Sequence, residues 1–205
     1  MIAANHTWFF VRFFNFYTKR ILKKHFHRIF LNVEEDNYNK PLLVVGNHFS
    51  WFDGFIGLYV NEKVFKKRFY VMMLSAQLKF RMFLNKAGAF GIEKGNRDVS
   101  EALDYASRLM QNPQNMLLMF PQGKIEMQYQ YPLHFEKGAY HLLENNRDTI
   151  QLVFLSSVTD YGSYKKPTLY IKIATSDSMV ITAPKILEDA YNQFHYEHIN
   201  SREIV

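Results

Sequence analysis

The sequence predicts an α/β fold: a largely parallel, mixed β-sheet flanked by helices, with an amphipathic helix at the N-terminus. Two patterns support this. Short apolar runs of strand length recur along the chain, and segments with helical periodicity separate them. Glycine, proline and polar residues stand at the ends of these runs, as they do at strand and helix boundaries. A length of 205 residues and an apolar content of 48% suit one domain with a substantial core.

The predicted elements alternate regularly after residue 40. The expected strands are 42–45, 68–74, 88–92, 116–120, 151–156 and 169–174. The expected helices are 53–60, 76–86, 100–111, 139–145 and 184–197. Alternation of this kind predicts parallel strands joined by helical crossovers. The turn-rich segment 161–167 instead predicts that the last two strands pair antiparallel, at a mixed edge.

The excess positive charge lies in the N-terminal segment. The whole chain has 25 basic and 19 acidic residues, and residues 1–31 contain six of the bases and no acid. The six are Arg12, Lys19, Arg20, Lys23, Lys24 and Arg28. Removing them leaves 19 basic against 19 acidic residues, so the remaining body is neutral. A nucleic-acid binder usually carries basic residues over a face of its domain, so we expect no nucleic-acid partner.

The same segment is rich in phenylalanine, which favours contact with a membrane. Residues 8–31 contain no apolar run near the roughly 20 residues that span a bilayer, and their order differs from that of a signal peptide. We therefore expect residues 1–33 to form an interfacial helix on an anionic membrane surface, and residues 34–205 to form one domain. The expected location is the cytoplasmic face of a membrane, peripheral or monotopic. The alternative is a helix packed against its own domain, with its cations in solvent.

Composition also limits the available chemistry. The chain contains no cysteine, which excludes disulfides, thiolate zinc sites and cysteine nucleophiles. Its histidine and acidic residues form no spacing typical of a metal-ligand set, so we expect no metal and no cofactor.

His48 and Asp53 form the first candidate pair. On an ideal helix, five residues of separation place two side chains about 140° apart, so they would not share a face. They meet if His48 lies in the loop after strand 42–45 and Asp53 lies in the first helical turn. Residues 50–53 (S-W-F-D) support this, because they form a capping-box pattern with Ser50 at the N-cap. Asp53 then orients the imidazole as a general base. The alternative is a surface histidine and an ordinary cap.

Four stretches in order resemble the lysophosphatidic-acid (glycerolipid) acyltransferase family, also called PlsC-like. Residues 47–53 (N-H-F-S-W-F-D) resemble its N-H-x4-D block, and residues 88–97 (G-A-F-G-I-E-K-G-N-R) resemble its G-x-F-x-[IV]-D-R block. Residues 120–123 (F-P-Q-G) are similar to F-P-E-G, and residues 135–139 (F-E-K-G-A) match the F-K-x-G that commonly follows. The resemblance covers about residues 41–157.

This resemblance implies transfer of a fatty acyl group to a lipid hydroxyl at a membrane face. The expected donor is acyl-CoA or acyl carrier protein, and the expected acceptor is a lysophospholipid such as 1-acylglycerol-3-phosphate. His48 and Asp53 would be catalytic. Backbone N–H groups of Gln122 and Gly123 are candidate oxyanion donors. Lys94, in the position of the family's arginine, and Arg97 would hold a phosphate, and Lys124 adds a third cation to the substrate-binding set.

The third block also departs from the family pattern. Gln122 replaces glutamate, Lys124 stands where threonine is usual, and Ile125 stands where arginine often follows. A proline-containing fourth block has no counterpart in residues 150–155. These changes leave two alternatives open: the same chemistry on a hydroxyl acceptor without phosphate, and a non-catalytic lipid-binding protein.

Overall fold

A computed structural model describes residues 1–34, 36–93 and 96–201, and of residues 96–98 it describes the backbone. In this part of the chain seven strands form one sheet in the order β1-β7-β6-β2-β5-β3-β4. The strands are β1 (Ile29–Val33), β2 (Leu42–Gly46), β3 (Arg68–Leu74), β4 (Ala89–Ile92), β5 (Asn115–Met119), β6 (Gln151–Asp160) and β7 (Thr168–Ser176). Only the β6–β7 pair in this sheet is antiparallel. The predicted fold class and the predicted antiparallel pair are confirmed.

Helices cover both faces of this sheet. They are α1 (Trp8–His25), α2 (Asp53–Val60), α3 (Ser75–Lys79), α4 (Met82–Asn85), α5 (Asn96–Leu109), α6 (Gly138–Asn146) and α7 (Pro184–Asn200), and a π-helical turn (Asn61–Phe65) extends α2. None of these described helices combines the length and apolar character that a membrane crossing requires.

Strand β2 shows how the sheet separates two cores. All five of its residues are buried, as expected for a central strand with both faces covered. Leu43 and Val45 pack in the core beneath α5, α6 and α7. Leu42 and Val44 point to the opposite face and pack with α1 and α2. This alternation follows from the two-residue period of a strand.

The N-terminal segment differs from the predicted single helix. Helix α1 ends at His25, because Phe26 takes extended backbone angles of φ −107° and ψ 145°. Residues Ile29–Val33 then form β1, which pairs parallel with β7 at the edge of the sheet. The alternation of half-buried and exposed side chains in β1 is the period-two pattern of an edge strand. The prediction of an interfacial helix over residues 1–33 was therefore wrong for residues 26–33.

Helix α1 packs against the rest of the domain with only one of its faces. Phe14, Thr18 and Leu22 are buried against the body, as the alternative interpretation expected. The other side leaves Trp8, Phe9 and Phe16 exposed at 73%, 62% and 64%. The helix therefore belongs to the fold and also presents an aromatic surface outward.

The predicted helix 76–86 is divided into two short helices, α3 and α4. Arg81 takes φ −138° and ψ 46°, which lies outside the helical region, so α3 cannot continue through it. This break places Arg81 at a corner between the two helices.

Candidate active site

The candidate site lies beyond the carboxyl ends of two adjacent parallel strands. In the register of β2 and β5, Val45 pairs with Met119. His48 and Gln122 each follow three residues after this pair, so both loops leave the sheet at the same edge. Open α/β sheets bind ligands in the crevice outside the carboxyl ends of their strands.

His48 and Asp53 are in direct contact. The Nδ1 atom of His48 lies 2.7 Å from Oδ2 of Asp53. The Asp53 carboxylate is buried, whereas 24% of the His48 side chain is exposed. The predicted arrangement, with the histidine in the loop and the aspartate in the first helical turn, is the one observed.

Other donors around Asp53 indicate which nitrogen of the neutral imidazole carries the hydrogen. Backbone N–H groups of Phe49 and Ser50 both donate to Oδ2 of Asp53 at 2.8 Å, and the Ser50 hydroxyl donates to Oδ1 at 2.8 Å. An oxygen that accepts these bonds is a carboxylate oxygen without a proton. His48 therefore donates through Nδ1, and Nε2 is left as the proton acceptor.

The prediction of Ser50 as the N-cap was wrong, because Phe52 is the N-cap of α2 and the regular helix begins at Asp53. Two side-chain bonds like those of a capping box nevertheless form before the helix. The Ser50 hydroxyl accepts from the N–H of Phe52 at 3.2 Å, and the Asp53 side chain reaches back to the N–H of Ser50. These reciprocal bonds fix the turn that connects His48 to α2. The imidazole also stacks on the ring of Phe120, with centroids 4.6 Å apart and planes 17° apart, which restricts its rotation.

The loop after β5 holds the backbone of His48 on both sides. The N–H of His48 donates to Oε1 of Gln122 at 2.6 Å, and the carbonyl of His48 accepts from the N–H of Glu126 at 2.9 Å. The Gln122 amide then donates to Oε2 of Glu126 at 2.7 Å. Gln122 therefore holds the His48 backbone in position, and both ends of its side-chain amide are bonded within the protein.

Glu126 was not predicted as a site residue. Its Oε1 lies 3.1 Å from Nζ of Lys124, so the carboxylate joins Gln122 to the lysine. The hydrogen bond from Gln122 holds the pKa of Glu126 below its ordinary value, and Lys124 lowers it further. One sequence feature could have indicated that Glu126 contacts Gln122. Glu126 follows four residues after Gln122, which itself replaces the glutamate of the family pattern.

The third block forms a tight turn. The N–H of Gly123 donates to the carbonyl of Phe120 at 3.1 Å, with Pro121 at the second position of the turn, where its fixed φ is favoured. Gly123 itself has φ +66°, a conformation that suits glycine. The N–H of Gly123 is therefore already bonded within the turn, which makes it the weaker of the two predicted oxyanion donors. In the part of the chain that the structure describes, nothing accepts the N–H of Gln122.

Residues 135–139, the fourth stretch of the family pattern, hold the turn at residues 120–123 through hydrogen bonds. The N–H of Glu136 donates to the carbonyl of Pro121 at 2.8 Å, and the N–H of Phe135 donates to Oε2 of Glu188 on α7 at 2.8 Å. Residues 135–139 therefore connect the turn to α6 and α7.

Asn47, the residue before His48, connects the loop that carries His48 to the sheet. Its side chain donates to the carbonyl of Ser157 at 2.8 Å and accepts from the N–H of Ser157 at 2.9 Å, which extends the β2–β6 pairing. The Tyr191 hydroxyl donates to the carbonyl of Leu155 at 2.7 Å beside this pair. Complete burial raises the pKa of Tyr191 well above its ordinary value, so the phenol stays neutral.

A cavity of about 400 Å³ opens next to His48. Its walls are mainly apolar and come from α1, α2, β3, the α3–α4 corner, β4 and the loop after β5. The lining includes Phe14, Trp51, Phe55, Met72, Leu84 and Ile92. Ligand pockets in proteins typically measure about 300–1,000 Å³ and are mostly apolar with a few polar groups. The polar side chains in this lining are those of His48, Gln77, Arg81 and Lys124.

Only some of the predicted substrate-binding residues lie in the cavity wall. Gly123 and Lys124 line the cavity, whereas Gln122 lies behind His48. Lys94 and the side chain of Arg97 lie outside the described residues. Arg81 lines the cavity and was not predicted. No local pattern identifies it, because its place depends on the break between α3 and α4.

Among the described residues, no group of three or more histidine or acidic side chains has the arrangement of a metal site. The site as described consists of a histidine oriented by a carboxylate, a turn with one unused N–H, and an apolar cavity beside the imidazole.

The family model described as acyltransferase matches residues 15–156. The match runs from α1 to β6 and includes all four stretches that resemble the PlsC-like pattern. It also begins within α1, which agrees with the packing of that helix in the domain. A search of curated proteins gives no match. Because the matched region covers more than half of the chain and contains His48, Asp53 and the turn after β5, the chain belongs to the PlsC-like acyltransferase family, and its activity is acyl transfer.

Proposed function

We propose that the protein is a peripheral membrane O-acyltransferase. It transfers a fatty acyl group from acyl-CoA or acyl carrier protein to the hydroxyl of a lysophospholipid such as 1-acylglycerol-3-phosphate. The observation that carries the proposal is the His48–Asp53 pair at the wall of an apolar cavity. A free imidazole nitrogen and a volume suited to an alkyl chain are what direct acyl transfer requires.

His48 acts as the general base. Its Nε2 takes the proton of the acceptor hydroxyl while the hydroxyl oxygen attacks the thioester carbonyl carbon. The buried Asp53 carboxylate stabilises the imidazolium that forms. The carbon–sulfur bond then breaks, and the imidazolium returns its proton to the leaving thiolate. No acyl-enzyme forms, which suits a chain without cysteine.

The developing oxyanion requires a fixed donor near the carbonyl. The N–H of Gln122 is the stronger of the two candidates named from sequence, since that of Gly123 donates to Phe120. Both side-chain ends of Gln122 are hydrogen-bonded, so the turn that carries this N–H is held in place. A donor that needs no rearrangement stabilises the transition state more effectively than a mobile one.

The apolar cavity accommodates the acyl chain of the donor. Its phenylalanine, leucine and methionine side chains offer no hydrogen-bonding group that an alkyl chain would leave unsatisfied. Because His48 lines the same cavity, a chain bound there places its thioester near the base.

The exposed face of α1 supports binding to an anionic membrane. Trp8, Phe9 and Phe16 project from it, and the guanidinium of Arg12 lies 5.1 Å from the centre of the Trp8 ring. Lys19 forms an ion pair with Glu62, and no ion pair of the other five N-terminal cations occurs among the described residues. Aromatic side chains at the acyl boundary and cations at the headgroups are typical of interfacial helices. The proposed location is the cytoplasmic face.

The decisive experiment is an acceptor panel. Purified protein on anionic vesicles is incubated with labelled acyl-CoA or acyl carrier protein and either lysophosphatidate, another lysophospholipid or monoacylglycerol. Products are then identified by mass. We expect an acylated lysophospholipid from the wild type and none from His48→Ala. Absence of transfer or hydrolysis with both donors would contradict the proposal and support the non-catalytic lipid-binding alternative.

One observation favours a second acceptor class. Lys124, a predicted substrate-binding residue, is paired with Glu126 at 3.1 Å, and Ile125 contributes an apolar side chain to the cavity. Both features suit a hydroxyl acceptor without phosphate. Exclusive acylation of monoacylglycerol in the same panel would select this alternative.

A further inference from the structure

Arg81 is a cation in the wall of an otherwise apolar cavity. It lies at the corner between α3 and α4 and is half-buried. It lines the same cavity as His48. The backbone on both sides is held, because the N–H of Arg81 donates to Leu78 at 2.8 Å and its carbonyl accepts from Leu84 at 2.8 Å. The guanidinium is therefore attached to a fixed point on the cavity wall.

The charge of Arg81 has no counterpart within the protein. Among the described residues, no carboxylate lies within ion-pair distance of its guanidinium, and no side chain or carbonyl accepts from it. The neighbouring cations differ in this respect. Lys124 is paired with Glu126, and Lys79 is 3.2 Å from Glu93. A guanidinium in a mostly apolar wall that pairs with no group of the protein is available to an anion from outside the protein.

We propose that Arg81 binds a phosphate group of a substrate of the acyl-transfer reaction, an inference that rests on the proposed function. A guanidinium presents a planar pair of donors that matches two phosphate oxygens. Two substrates carry such a group. One is the lysophospholipid acceptor, and the other is the phosphopantetheine arm of the donor. In either case Arg81 fixes the polar end of a molecule whose apolar chain lies along the cavity.

Arg81 is the one arginine in the described lining of this cavity. Ile125, where the family pattern often has arginine, lines the same cavity with an apolar side chain. A phosphate near His48 therefore has one unpaired guanidinium available in the described wall, and it comes from a different segment of the chain. Arg81 is accordingly a specificity-determining residue.

Steady-state kinetics separate the two phosphate sources. Arg81→Ala and Arg81→Lys are compared with the wild type, and Lys79→Ala serves as the control because Lys79 is paired outside the cavity. One arm compares lysophosphatidate with monoacylglycerol at a fixed acyl-CoA. The other arm compares acyl-CoA with phosphate-free acyl-pantetheine at a fixed acceptor.

Arg81→Ala should raise KM for the phosphate-bearing substrate that Arg81 contacts by about 10- to 100-fold, the loss expected for a hydrogen bond to a charged group. The kcat should stay near that of the wild type, and KM for the matching phosphate-free substrate should not change. Arg81→Lys should give an intermediate KM, since lysine keeps the charge and loses the paired donors. Unchanged KM values for every substrate, or an equal rise with and without phosphate, would overturn the proposal.

A binding measurement keeps this test independent of turnover. Calorimetric titration of wild type, Arg81→Ala and Lys79→Ala with lysophosphatidate and with a thioether analogue of acyl-CoA reports affinity directly. Loss of affinity for one ligand in Arg81→Ala alone supports the assignment even if the wild type transfers no acyl group, a result that would contradict only the proposed function. Equal affinities in all three proteins, or no binding by the wild type, would contradict the Arg81 assignment. Thermal melting of each variant confirms that the fold is retained.

Discussion

The side-chain carbonyl of Gln122 accepts a hydrogen bond of 2.6 Å from the backbone N–H of His48. The same amide donates to the carboxylate of Glu126 at 2.7 Å, and Glu126 in turn donates its backbone N–H to the carbonyl of His48. A glutamate at position 122 would place two carboxylates in contact. The glutamine therefore belongs to an arrangement in which the negative charge lies at position 126.

The first prediction concerns an exchange of the side chains at positions 122 and 126. Gln122→Glu should lower both kcat and the melting temperature, because two adjacent carboxylates repel and one hydrogen bond of about 1–3 kcal/mol is lost. Adding Glu126→Gln should restore most of both, since the amide and the carboxylate have only changed places. Measurements of kcat and thermal melting on the two single variants and the double variant form the cycle. A double variant no better than Gln122→Glu would refute this pairing.

Glu126 also predicts a pH dependence of stability. Its pKa is lowered in the folded protein, first by the hydrogen bond from Gln122 and then by Lys124. A carboxyl whose folded pKa is depressed adds stability that is complete above its unfolded pKa. This stability is lost as the pH falls through the folded value. The melting temperature of the wild type should therefore exceed that of Glu126→Gln near neutral pH, and the difference should shrink below about pH 4.5. A difference that is constant with pH would count against an ionised Glu126.

His48→Ala and Asp53→Asn test the general base. Each should lower kcat by about 10²- to 10⁴-fold while far-UV circular dichroism stays unchanged, because general-base catalysis contributes a factor of that size. In Asp53→Asn the amide oxygen still accepts from the loop donors, so the loss reports mainly the missing charge beside the imidazolium. His134→Ala is the matched control, since its side chain is 75% exposed. Comparable turnover by His48→Ala would end the assignment.

Membrane binding is tested by point substitutions in α1. Deletion of residues 1–31 is not a clean test, because Phe14 and Leu22 are part of the core and the deletion would also remove most of β1. Replacing Trp8, Phe9 and Phe16 with serine should instead weaken binding to anionic vesicles in a flotation assay and leave the melting temperature nearly unchanged. The control replaces Tyr161 and Met179, exposed residues of other loops, with serine. Equal flotation of both variants would contradict the interfacial role of α1.

Phe14 predicts an effect on acyl-chain preference. A second cavity of about 230 Å³ lies next to the first, and Phe14, Leu58, Phe69 and Ala87 line both. Shortening the Phe14 side chain should open the wall between them. We expect Phe14→Leu to raise kcat/KM for long-chain acyl-CoA relative to medium-chain acyl-CoA in a homologous series. Phe26→Leu, a buried phenylalanine that lines neither cavity, controls for lost packing. Identical chain preferences in both variants would show that Phe14 is not the limiting wall.

Local patterns in the sequence were sufficient for part of this site. His48 and Asp53 are five residues apart, and the hydrogen bonds that bring them together all lie within residues 48–53. Such contacts are visible in sequence, because the capping box and the preceding strand are themselves short-range patterns. The same holds for the strands that alternate with helices, whose boundaries mostly agree with the structure to within a few residues.

Two features of the structure, strand β1 and the position of Arg81, were not predicted from sequence because both depend on contacts with distant segments. The β1 segment I-F-L-N-V has a period of two, but it follows directly after an aromatic helix, and only the free edge of β7 gives it a partner. The sequence predicted Arg81 inside a helix. The break between α3 and α4 at that residue places it in the cavity wall instead.

Sequence alone was therefore sufficient to predict the α/β class and the contact between His48 and Asp53, since both depend on side chains close together along the chain. The contact between Gln122 and the backbone of His48, 74 residues earlier, could not be predicted in this way, because the β2–β5 register sets it. Tertiary packing likewise places the N–H of Gly123 in a hydrogen bond within a turn, and it places Arg81 in the cavity wall. Hydrogen bonds and cavities of this kind arise between segments that the packing of the sheet brings together, and no local pattern encodes them.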